Sequence, residues 1–97
     1  MATIASQNAV SDALGRLDES LRAIKMHDLS YSMKQHQRDF GSALFEIGSY
    51  APAVPYWKCS DRDRVIVEGA KSYLAMHPGI DDLPPKPLLE RALEFCR

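Results

Sequence analysis

The stretch VSDALGRLDESLRAI, residues 10–24, decides the fold. Within it Val10, Leu14, Leu17, Leu21 and Ile24 recur at steps of four, three, four and three residues. That spacing sets five apolar side chains along one stripe of an α-helix, in the a/d pattern of a heptad seam. Asp12 precedes Arg16, and Asp18 precedes Arg22, by one helical turn on the polar side, with the acid N-terminal in each pair. This is the more favourable order for such ion pairs. The helix is expected over about 5–26, roughly 33 Å long. A helix of that length is hard for shorter neighbours to cover. The stripe is therefore read as a self-association seam of a C2 homodimer, with packing inside the domain as the alternative.

Downstream, two groups of breakers punctuate the chain: Pro52 and Pro55, then Pro78, Gly79, Pro84, Pro85 and Pro87. They leave room for three more helices. The second is expected over about 30–47, capped by Asp28 or Ser30 and carrying Met33, Phe40, Leu44 and Ile47 on its main stripe. Gly48 is placed to end it in a left-handed cap. The third is expected over about 60–77. Ser60 is its cap, Asp61 and Asp63 sit in its positive first turn, and Pro78 stops it. A short strand over 64–67 is the competing reading, and the capping signal decides against it. A last helix over about 87–96 presents Leu88, Leu89, Ala92, Leu93 and Cys96. The fold class is thus all-α: one domain over 1–97, a small bundle of about four helices with two proline-containing connectors. Gly15, Gly41 and Gly69 interrupt the helices, through tolerated drift or through close approach of two backbones.

Composition bounds the function. The chain has 97 residues, 45% hydrophobic and 26% charged, with a net charge of −1. That is ordinary globular composition. The balanced charge lacks the basic excess that drives binding to nucleic acid. No apolar run is long enough to span a membrane, and the first residues do not read as a signal peptide. Two cysteines, Cys59 and Cys96, fall short of a disulfide scaffold. The expectation is free thiols in a reduced, cytoplasmic setting, with a single Cys59–Cys96 bridge as the alternative.

No known chemistry is spelled out. His27, His36 and His77 stand far apart, no zinc-ligand spacing occurs, and no metal or cofactor is expected. The histidines are read as partly exposed at helix ends and faces. The adjacent acids Asp81 and Asp82 read as a solvated turn, and no phosphate-cradling loop is present. Cys59, beside Lys58 and just before a helix N-terminus, is the best single candidate for a reactive thiol. Lys34, His36 and Arg38 form a mild basic cluster. However, the connector between the second and third helices is too long for a helix-turn-helix.

What remains is protein binding. The loop YAPAVPYW, residues 50–57, holds the chain's one tryptophan, two tyrosines and two stiffening prolines. Tyr and Trp dominate binding hot spots. Tyr50, Val54, Tyr56 and Trp57 are the candidate partner contacts, with Trp57 turned into the core as the alternative. The expectation is a non-enzymatic regulatory domain, homodimeric, that inhibits or sequesters a protein such as a transcription regulator. A DNA-binding regulator and a thiol-dependent sensor or enzyme using Cys59 are the alternatives.

Overall fold

The computed structural model describes residues 4–26 and 33–96. The order is α1 (Ile4–Met26), α2 (Met33–Tyr50), a single 3₁₀ turn (Ala51–Ala53), α3 (Asp61–Met76) and α4 (Lys86–Leu93). The fold is all-α, and no strand occurs among the described residues. The caps expected at Asp28 and Ser30 lie outside the described residues.

The most extensive helix pair is α1 with α2, followed by α2 with α4, while α3 lies along α1. The core is one cluster. Val10, Ala13, Leu14, Leu17, Leu21 and Ile24 enter from α1, Phe40, Ala43, Leu44 and Ile47 from α2, and Ile66, Val67 and Ala70 from α3. This corrects the seam. All five of its residues are buried within the single chain, so they are not available to a second copy. The stripe has the period of a coiled coil, but two helices share the work of covering it. Neither α2 nor α3 needs to match the full length of α1.

The polar face of α1 behaves as its spacing requires. Arg16 Nε lies 3.0 Å from Asp12, and Arg22 Nε 3.2 Å from Asp18. Arg16 also reaches across to Glu46 of α2, which ties the two helices on their solvent side.

Gly48 does not end α2, which runs on to Tyr50 with no glycine at positive φ. Gly48 is buried because α4 crosses there: a Cβ at this position would overlap the carbonyl oxygen of Leu88. Gly41, two turns earlier, meets the backbone of the α3–α4 connector in the same way, at the carbonyl of Asp82. Asp82 itself has φ 65°, the left-handed region that Asp tolerates better than most residues. Close backbone approach is therefore the reason for Gly41. A Cβ at Gly69 would press on the Leu21 side chain, whereas Gly15 faces open space.

The short α4 begins at Lys86, with Pro87 in its first turn. There a missing N–H costs nothing. It ends at Leu93, earlier than its apolar pattern implies, and Phe95 and Cys96 follow in a turn.

Candidate functional site

The loop after α2 is rigid for local reasons. The backbone N–H of Val54 donates to Ala51 O at 3.1 Å, closing the 3₁₀ turn around Pro52. The N–H of Trp57 then donates to Val54 O at 3.0 Å. This closes a second turn with Pro55 in the position whose φ proline pre-sets. Val54 is the inward anchor of the pair, only 3% exposed. Tyr56, at the apex of the second turn, is 89% exposed.

Trp57 is the outward end of that anchor. It is half-buried, its ring centroid 5.8 Å from that of Phe95. Its indole N–H donates to Asp63 Oδ2 at 3.3 Å. Asp63 belongs to the cap of α3. The Ser60 side chain accepts the Asp63 N–H at 3.1 Å, and the Asp63 carboxylate accepts the Ser60 N–H at 3.1 Å. The reciprocal pair is a capping box. The tryptophan is thus pinned to a helix N-terminus by the group that caps it.

A covalent link completes the arrangement. Cys59 and Cys96 are joined as a disulfide with their Cα atoms 5.6 Å apart. The expectation of free thiols is corrected, and with it the reading of Cys59 as a reactive nucleophile or sensor. The sulfur that a helix N-terminus would activate is bonded to the far end of the chain. The bond holds Phe95 against Trp57. Beside them lies a depression of about 380 Å³ lined by Ala51, Pro52, Arg91, Glu94 and Phe95. Arg91 Nη1 donates to Gly48 O at 3.2 Å and so fixes one wall.

Of the four residues expected to contact a partner, Tyr56 and Tyr50 are exposed, Tyr50 at 40%. Val54 is a core residue, and Trp57 is a half-buried support rather than a free anchor. Phe95, Arg91 and Pro52 join the surface from outside the set. Nothing in the sequence near Phe95 announces its place, because only folding brings it to Trp57.

Other concavities lie elsewhere among the described residues. A cleft of about 390 Å³ between α1 and α2 is lined by Arg16, Glu19, Ser20, His36 and Asp39, among others. His36 is buried there. This corrects its reading as a partly exposed residue and removes it from the basic cluster with Lys34 and Arg38. Arg38 in turn pairs with Asp82 at 3.5 Å. No group of three His, Cys, Asp or Glu side chains is placed to hold a metal ion among the described residues. An apolar groove of about 530 Å³ lies at the other end of α3, lined by residues that include Ile24, Met33, Tyr73 and Met76. No described helix is long and apolar enough to cross a membrane.

No protein-family model, curated protein or solved structure matches this chain at a significant level.

Proposed function

We propose that this chain is a small regulatory protein-binding domain, without catalytic chemistry of its own, that holds its partner through Tyr56 and the surface around it. The observation that carries this reading is the exposure of Tyr56 between two fixed neighbours, Val54 in the core and Trp57 pinned to Asp63. A residue whose backbone is fixed by a turn before binding loses less backbone freedom when a partner arrives, so more of its contact energy reaches the affinity. Large aromatics at such positions are the residues that anchor interfaces. Tyr50 and the depression beside Phe95 supply adjoining apolar surface, with Arg91 and Glu94 at its edge. That combination of an apolar centre and a polar rim is what protein interfaces use.

The homodimer is not retained, because the stripe that suggested it is buried in the core. Direct reading of DNA gains no support from α2, where His36 is buried and Arg38 is paired with Asp82. The Cys59–Cys96 bond favours an oxidising setting over the reduced cytoplasm, since structural disulfides persist where glutathione does not reduce them.

The test is affinity capture from the native cell with the oxidised full chain, run beside Tyr56→Ala. A protein held by the first and lost from the second supports the reading. Identical captured sets overturn it.

A further inference from the structure

Three helices meet at the groove beside the C-terminal end of α3. The last turn of α1 brings Ile24 and Lys25, the first turns of α2 bring Met33 and Gln37, and the end of α3 brings Tyr73 and Met76. The volume of about 530 Å³ lies in the range that small-molecule sites occupy, and such sites form between the helices of bundles. The wall is mostly apolar. Ile24 is buried, Met33 is half-buried, and Met76 is exposed. Unbranched methionine side chains adapt to the shape of what they touch, which suits them to flexible apolar ligands. Tyr73, by contrast, is fixed from three sides. Its ring stands edge-on to the buried Phe40 at 5.3 Å and lies 4.6 Å from the His77 ring, and its hydroxyl accepts from Gln37 Nε2 at 3.4 Å. The charge of the wall has one sign: Lys25 is a fixed cation, and no Asp or Glu stands there among the described residues. Ser72 adds a hydroxyl and His77 an imidazole to the same wall. An anionic head group would meet a cation and hydrogen-bond donors there, with no carboxylate to repel it.

We propose that this groove binds a small alkyl carboxylate. The chain lies against Ile24, Met33 and Met76, and the head group sits at Lys25. Charge complementarity selects the carboxylate over a cationic amphiphile of the same length. The groove lies at the opposite end of α3 from the Trp57–Asp63 pair, so the proposal stands whether or not Tyr56 binds a partner.

The test is an NMR titration of the oxidised full chain, labelled at its methionine methyl groups, with decanoate below its micelle concentration. Decyltrimethylammonium, with the same chain and the opposite charge, is the control. The expected result is saturable movement of the Met33 and Met76 methyl signals by decanoate, with weaker binding of the cation. Lys25 is exposed, so the fold tolerates Lys25→Glu. That variant is expected to bind decanoate at least about fivefold more weakly, the upper range for one exposed ion pair. Equal affinity of the native chain for the two probes, or decanoate affinity that Lys25→Glu leaves unchanged, would overturn the proposal. No movement of Met33 and Met76 overturns it too, since the groove is then closed by another part of the chain or covered by a second copy. Signals moved by phosphatidylglycerol vesicles but not by free decanoate would assign the groove to a membrane surface, which overturns it as well.

Discussion

One carboxylate oxygen, Oδ2 of Asp63, accepts both the backbone N–H of Ser60 at 3.1 Å and the indole N–H of Trp57 at 3.3 Å. Helix capping and loop placement therefore share an atom. Asp63→Ala removes one half of the capping box and unpins the tryptophan. The expected loss of stability is about 1–2 kcal/mol, the range for losing a good cap. Asp63→Asn keeps an acceptor and is expected to lose less. Thermal unfolding measures the first effect, and a shift in Trp57 fluorescence reports the second. An unchanged melting temperature together with an unchanged emission maximum for Asp63→Ala would show that the shared oxygen does neither job.

Leu17 separates a core stripe from a dimer seam. It is fully buried at the centre of the α1 face. Leu17→Ala is expected to destabilise the domain by about 2–5 kcal/mol, as large-to-small core changes do. Leu17→Asp is expected to leave no folded domain. Urea unfolding with size measurement checks both. A folded Leu17→Asp chain that changes only in oligomeric state would point back to a seam.

The glycines of α1 and α2 give a prediction of opposite signs. A Cβ at Gly41 or Gly48 would run into the carbonyl of Asp82 or Leu88, and backbone cannot swing aside as a side chain can. Gly41→Ala and Gly48→Ala are each expected to cost about 1–3 kcal/mol, the usual range for overpacking. A Cβ at Gly15 meets nothing within 4 Å. There the better helix propensity of alanine should stabilise by up to about 1 kcal/mol. Chemical denaturation of the three single variants decides this, and shifts of the same sign in all three would contradict the packing described for α4.

These residues also show where the sequence is legible. The stripe from Val10 to Ile24 and the Ser60 cap are local patterns, set by helical period and by hydrogen bonds three residues apart, and both appear as expected. What the stripe faces is not local. A heptad-like period serves a second copy and two helices of the same chain equally well, and only the meeting of α2 and α3 on α1 decides between them. Gly48 carries the same ambiguity, since a glycine after an apolar stripe suits a helix stop as well as a close crossing. The difference lies in Leu88, far along the chain. Cys59 pairs with Cys96 across a sequence separation of 37, with no spacing signal to mark the bond. The loop was recognisable from its aromatics and prolines, but which of them point outward depends on Phe95 and Asp63. Val54 and Tyr56 lie two residues apart and end at opposite extremes of exposure.

The central claim is that Tyr56 anchors a partner from a prearranged surface. The most direct measurement is the Kd of the captured partner for the native chain and for Tyr56→Ala, with the melting temperature of each determined in parallel. Truncating a hot-spot residue costs at least about 2 kcal/mol, roughly 30-fold in Kd. Tyr56 is 89% exposed, so its loss is expected to leave the melting temperature almost unchanged. Weaker binding by that factor with intact stability is the predicted result. An unchanged Kd at intact stability would contradict the account.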